Sequence, residues 1–115
     1  MRRGEIRLVD LDPVQGSEAG TRRPAVIVSN DGANGTASRL GRGTITIVPV
    51  TSNVTRVYRF QVLLPSKRTG LDRDSKAQAE QVRSVSVTRI GPAIGVVPPP
   101  IMTELGDALR LHLAL

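Results

Sequence analysis

Cysteine is absent from the 115 residues, tryptophan is absent, and histidine, tyrosine and phenylalanine occur once each. Without thiols there is no disulfide framework, no cysteine nucleophile and no cysteine-type zinc site. No apolar run approaches the ~18 residues that a membrane span needs. The charged start Met1-Arg2-Arg3-Gly4-Glu5 has no apolar stretch behind it, unlike a secretory signal. The expectation is a cytoplasmic protein with no membrane partner. Two aromatics, Tyr58 and Phe60, are too few for a sheet face that reads single-stranded RNA by stacking its bases. Any nucleic-acid binding must then rest on charge, hydrogen bonds and loops.

Positive charge, by contrast, is plentiful. Lys and Arg number 16 against 10 Asp and Glu, for a formal net charge of +6. All but Lys67 and Lys76 are arginine, whose planar fork suits phosphate and guanine edges. A GC-rich coding sequence would give the same bias. The length allows a single domain, residues 1–115, with one modest core.

Along the chain, Gly4–Leu11 reads as a half-buried strand in which Ile6 and Leu8 alternate with charged residues. Asp12-Pro13 stops it, and 14–23 is a polar, aperiodic loop of the length that often carries function. Pro24–Ser29 is a β-branched run that reads as a buried strand with proline at its first position. Residues 30–43 read as a second long loop, on the strength of the turn signal Asn34-Gly35. Thr44–Val50 alternates clearly as a strand, with Pro49 demanding an edge or bulge. Val57–Leu64 is the next predicted strand, with Tyr58, Phe60 and Val62 on one face. Residues 65–74 form a charged loop, Ser75–Val82 a weaker strand, Ser86–Ile90 one helical turn and Ala93–Val97 a final strand. After Pro98-Pro99-Pro100, the residues Ile101, Leu105, Ala108, Leu109 and Leu113 recur at helical spacing. Gly106 costs that helix about 1 kcal/mol relative to Ala. Five to seven short strands and one terminal helix describe a mainly β, strongly bent barrel with a helix packed on it.

Several chemistries lack their residues. Gly-x-Ser-x-Gly, the dinucleotide fingerprint and the Walker pattern are all missing. The close carboxylates Asp10/Asp12 and Asp72/Asp74 are better explained by turn and strand-end solvation than as metal ligands. His112, on the terminal helix, reads as a solvated side chain. No metal and no cofactor is expected. What remains is a loop with Gly16-Ser17-Glu18, Arg22-Arg23-Pro24 where that loop meets a strand, and Thr51-Ser52-Asn53 after the central strand. A carboxylate, an arginine and a hydroxyl around one phosphodiester suit RNA cleavage by the RNA's own 2′-hydroxyl. That reaction needs one proton taken, one given, and a phosphorane stabilised. Turn and strand-end polarity accounts for the same residues without any chemistry.

The ordered blocks Arg3-Gly4-Glu5-Ile6, Val9–Pro13, Gly16-Ser17-Glu18, Arg23–Asn30, Ile47–Asn53, Phe60-Gln61-Val62, Gly70-Leu71 and Ala79–Ser84 resemble the MazF/PemK toxin endoribonucleases over nearly the whole chain, above all the mycobacterial and actinobacterial members. The resemblance implies an SH3-like β-barrel with a C-terminal helix, of the MazF/PemK/CcdB kind. It implies a type II toxin, a homodimer that cuts single-stranded RNA (messenger, ribosomal or transfer) at short sequences without metal, leaving 2′,3′-cyclic phosphate and 5′-hydroxyl ends. Arg23 matches the family's catalytic Arg before Pro, and Thr51 its catalytic Thr. Glu18 matches the loop Glu, either a base or the residue that holds the loop. Ser17, Arg22, Ser52, Asn53, Gln81 and Arg83 become RNA-contact candidates, with Arg22 and Arg83 as phosphate ligands. The implied partner is an acidic, MazE-like antitoxin whose disordered tail folds across the basic groove, which the +6 charge suits.

Two positions depart from the family pattern. Arg7 stands where an aromatic, often Trp, is usual, and Arg59 where many members have Pro. Both bear on substrate preference and dimer stability rather than on the chemistry. Two rival functions remain at this level. One is a CcdB-like toxin that binds DNA gyrase and has no need of Arg23, Thr51 and the Gly16-Ser17-Glu18 loop together. The other is an RNA-binding module that leaves RNA intact.

Overall fold

A computed structural model describes residues 1–11 and 22–115. Among these residues seven strands appear: β1 (Glu5–Asp10), β2 (Arg22–Ile27), β3 (Thr44–Thr51), β4 (Gln61–Leu64), β5 (Ser75–Gln78), β6 (Arg83–Ser86) and β7 (Ile90–Val96). Three helices accompany them: α1 (Asp31–Leu40), the short α2 (Ser66–Thr69) and the terminal α3 (Pro99–Leu113). The strands form one antiparallel sheet in the order β4-β5-β3-β2-β1-β7, with β6 also pairing β3. The class agrees with the expectation, but the barrel is not closed, because β4 and β7 end the path without pairing.

The central strand β3 is shared between two partners. Its first half, Thr44–Ile47, pairs β6, and its end, Val50–Thr51, pairs β5. Pro49 lies in the interval where β3 changes partner. It therefore sits in an interior strand, paired to Ala25 of β2, rather than on the expected edge. A proline, lacking a donor, fits where a ladder is interrupted.

Alternation splits the apolar residues between two cores. Ile6, Val26, Val48, Val50, Val62, Leu64 and Ala77 pack with Ile101, Leu105 and Ala108 of α3 on one face. Val9, Ala25, Ile27, Ile45, Ile47 and Val85 pack with Ala37 of α1 on the other. Burial on both faces explains the unbroken apolar run of β2, where Ala25, Val26 and Ile27 are each 0% exposed. Fully burying a side chain such as Ile27 is worth about 1.5–3 kcal/mol.

Several sequence expectations need correction. Residues 31–40 are a helix rather than loop. Asn30 caps α1 by accepting from the Ala33 N–H, and Gly41 ends it in the left-handed region with φ 67°. Asn34-Gly35 lies inside the helix because Asn34 is buried beneath it. Its Nδ2 donates to the Ser29 carbonyl at 2.8 Å, and its Oδ1 accepts from the Ser29 hydroxyl at 2.5 Å. Pro24 is the third residue of β2, not the first, since pairing with β1 begins at Arg22. Only Gln61–Leu64 of the predicted 57–64 strand is extended, because the Gln61 side chain accepts from the Tyr58 N–H at 3.1 Å and bends the chain there. The Ser75–Val82 strand ends at Gln78 in a 3-10 turn, Ala79–Gln81. Strand β6 has no counterpart among the predicted strands. The turn near Ser86–Ile90 is present as a 3-10 turn, Val87–Arg89.

Candidate active site

Ala25 of β2 pairs Pro49 of β3. Arg23 and Thr51 each lie two residues beyond that last paired position. Arg23 pairs Val9, and Thr51 pairs Lys76. Direct cross-strand partners share a face, so Arg23 lies with Val9 and Thr51 with Lys76.

Arg23, Thr51 and Ser52 all line one cleft of about 440 Å³, together with Leu8, Pro24, Val50 and Ile94. The apolar members give the cleft a low-dielectric wall, in which a fixed cation acts more strongly than in water. Arg23 is exposed, and its side chain forms no hydrogen bond or ion pair among the described residues. The Thr51 hydroxyl oxygen accepts from the Asn53 N–H at 3.2 Å, and the Asn53 Oδ1 accepts from the Thr55 N–H at 3.2 Å. These two successive side-chain turns end β3 and lift Ser52 into the open. The Thr51 proton remains available for donation.

The far wall, Gly70, Leu71, Asp72, Arg73 and Ser75, comes from a segment whose sequence suggests only a charged loop. Helix α2 ends at Gly70, φ 85°, and Asp74 accepts from the Ser66 N–H at 2.9 Å, folding the segment back. Arg73 is the second arginine of the cleft. Its signal was only its neighbourhood, next to Gly70-Leu71.

Among the described residues, the candidates Arg22, Asn53, Gln81 and Arg83 are not in the lining. Arg22 lies over Gly91, where an added Cβ would stand 3.6 Å from its guanidinium. Asn53 serves the turn. Gln81 is exposed at the end of the 3-10 turn, and Arg83 donates to the Leu11 carbonyl at 3.2 Å. Ser17 and Glu18 lie outside the described residues. His112 is exposed on α3.

Arg7 is accommodated by small neighbours. It pairs Ala25 on one side and Ala93 on the other. Its Nε donates to the Gly91 carbonyl at 2.8 Å, and its Nη1 meets Glu5 at 2.9 Å. Burial alone would raise the Glu5 pKa. Hydrogen bonds from the Arg2 N–H and the Arg7 guanidinium, with the charges of the N-terminus and Arg7, outweigh it and hold the carboxyl below its ordinary value.

Among the described residues, no three His, Cys, Asp or Glu side chains gather as a metal-holding group, and no helix is long and apolar enough to cross a membrane.

The family pattern of "PemK-like, MazF-like toxin of type II toxin-antitoxin system" matches residues 2–113. The chain belongs to that family. This toxin is 61% identical over 115 residues, all of its own length and 98% of the other's, to endoribonuclease MazF9 of Mycobacterium tuberculosis. Its fold matches MazF of Deinococcus radiodurans with TM-score 0.76 at 26% identity, covering 100% of this chain and 97% of that one. It also matches an endoribonuclease from a mycobacterial species, solved with its cognate antitoxin, with TM-score 0.75 at 23% identity, covering 100% and 96% of the two chains. The likeness is to MazF endoribonucleases, and the gyrase-poison alternative is not favoured.

Proposed function

We propose that this MazF-like toxin is an endoribonuclease that cuts single-stranded RNA through the RNA's own 2′-hydroxyl, without metal. The observation that carries the reading is the meeting of Arg23 and Thr51 at one cleft. The full-length relative MazF9, an endoribonuclease by name, supports the same activity.

In the proposed reaction the 2′-oxygen attacks phosphorus, the bond to the 5′-oxygen breaks, and a 2′,3′-cyclic phosphate and a 5′-hydroxyl result. Arg23 stabilises the extra negative charge of the phosphorane. Arginine is effectively always protonated, so its role is electrostatic, with proton donation to the leaving 5′-oxygen as its only proton-transfer option. Thr51 donates to a non-bridging oxygen. Glu18 takes the 2′-proton or holds its loop. Ser52 contacts RNA at the cleft, Arg22, Asn53, Gln81 and Arg83 belong to the RNA path beyond it, and Ser17 is a further RNA contact.

An acidic antitoxin tail would occupy the same positive surface and silence the toxin. The fold shared with a toxin solved beside its cognate antitoxin is consistent with that partner. The active form is a homodimer in the cytoplasm.

The test is cleavage of a mixed-sequence single-stranded RNA in excess EDTA, with Arg23→Ala beside wild type and the new ends mapped. Discrete cuts by wild type alone, ending in cyclic phosphate, are expected. Intact RNA with folded, antitoxin-free protein would overturn the reading.

A further inference from the structure

Lys76 is the one charged side chain among the buried described residues, 7% exposed, and the chemistry above makes no use of it. It pairs Thr51 on one side and Leu63 on the other. Its neighbours Val50, Ala77 and Val62 point into the core under α3, so Lys76 stands on the opposite face, with Thr51. There its Nζ donates to the Arg56 carbonyl at 2.6 Å and lies 5.8 Å from the centre of the Tyr58 ring. A buried ammonium is costly unless its donors are used, and this one spends itself on pinning the turn that follows Ser52.

The pinned turn carries both aromatics of the chain. Tyr58 and Phe60 stack with centres 5.3 Å apart and planes 3° from parallel. The turn is tied a second time where Gln61 accepts from the Tyr58 N–H and donates to Glu80 at 2.8 Å. Tyr58 is nevertheless 44% exposed. The exposed Arg56 guanidinium lies 5.6 Å from its ring, and Arg59 is exposed on the same turn. A rigidly held aromatic pair set among cations is the arrangement that holds an unpaired base and its phosphate.

We infer that the Tyr58–Phe60 stack is a nucleobase-stacking subsite for RNA leaving the Arg23–Thr51 cleft, with Lys76 as the positioning residue that holds it beside Thr51. The inference rests on the RNA reading above. Stacking tolerates any base, so the subsite supplies affinity for a nucleotide flanking the cut rather than the identity of the cut sequence. It also revises the expectation that aromatic stacking has no part here: two rings are too few for a sheet platform but enough for one subsite.

The experiment titrates wild type and variants into a short single-stranded RNA, 2′-O-methylated throughout so that it cannot be cut and carrying 2-aminopurine at successive positions. Wild type should quench the fluorophore at one register. Tyr58→Leu should lose that quench and bind between about 5-fold and 150-fold more weakly, while Tyr58→Phe, which keeps the ring, should retain both and control for folding. Lys76→Met should weaken binding and quench, and combined with Tyr58→Leu should add little, because the two act through one platform. Unchanged affinity and quench in Tyr58→Leu would overturn the subsite. Additive losses would overturn the role of Lys76. Cleavage of unmodified RNA is run in parallel. Tyr58-dependent binding with intact RNA would sink the nuclease reading alone, and discrete cuts with Tyr58-independent binding would sink the subsite alone.

Discussion

Thr51 lies directly across the β3–β5 ladder from Lys76, and it lines one cleft with Arg23. One buried cation thus stands beside Thr51 in its row, and one exposed cation shares its cleft. A phosphodiester brought to Thr51 would meet both, the buried one held by strand pairing and by its bond to the Arg56 carbonyl. Preorganisation of that kind is what a phosphorane requires.

Removing the hydroxyl tests this arrangement. Thr51→Ala should lower single-turnover cleavage by about 10²-fold or more, the scale of losing one preorganised donor, while Thr51→Ser should keep most of the rate. Thr51 is only half-buried at the end of β3, so thermal melts of both variants should stay near wild type. Equal rates for the Ala variant and wild type would remove Thr51 from the site.

Arginine and lysine should separate at position 23. Arg23 forms no other hydrogen bond or ion pair among the described residues, so Arg23→Lys keeps the charge and removes only the planar fork. Bidentate phosphate contact depends on that fork. Cleavage by Arg23→Lys should fall well below wild type and stay above Arg23→Ala. A Lys variant at full rate would mean that charge alone suffices.

The imidazole provides the opposite control. His112 is exposed near the end of α3, remote in sequence from every lining residue of the cleft. His112→Ala should leave the cleavage rate and its pH profile unchanged. A large loss would assign proton transfer to the one histidine of the chain.

How far the sequence carried the fold depends on which forces were local. β1 and β3 were legible because apolar and polar residues alternate along much of each, and α3 because its one core face imprints a helical period. Helix α1 was hidden: its glycines and Asn34-Gly35 read as a turn, and what makes it a helix is the burial of Asn34 against Ser29, a contact invisible in periodicity. The Tyr58–Gln61 bend likewise depends on a side-chain hydrogen bond. Arg23, Thr51 and Ser52, named from residue type and resemblance, line one cleft. Arg73 was missed because nothing local marks it; α2 and the Asp74 cap bring its segment to the cleft. Arg22, Asn53, Gln81 and Arg83 have the right chemistry but lie outside the lining.

Acid should reveal Glu5. Its carboxyl is held below the ordinary value, burial being outweighed by Arg2, Arg7 and the N-terminal charge. A carboxyl with a depressed folded pKa stabilises the fold fully above its unfolded value, about 4.3, and loses that contribution as pH falls through the folded value. Wild type should therefore exceed Glu5→Gln in urea stability at neutral pH, and the gap should close below about pH 4. An equal gap at both pH values would show that Glu5 acts by packing rather than by charge.

Helix α1 offers paired substitutions of opposite sign on adjacent residues. Asn34 is 0% exposed and both of its amide groups are bonded to Ser29. The Ser29 hydroxyl oxygen in turn accepts from the Thr46 N–H of β3 at 3.1 Å. Asn34→Ala removes the hydroxyl's acceptor and the donor to the Ser29 carbonyl, and should cost about 1–3 kcal/mol. Gly35 sits next to it, and a Cβ added there would have no neighbour within 4 Å. Gly35→Ala therefore meets no clash and reduces the freedom of the unfolded chain, and should gain about 0.5–1 kcal/mol. Urea midpoints of the two variants should move in opposite directions with unchanged m-values. A destabilising Gly35→Ala would mean that the exposed face of α1 is covered in the folded protein, by a second copy or by another partner.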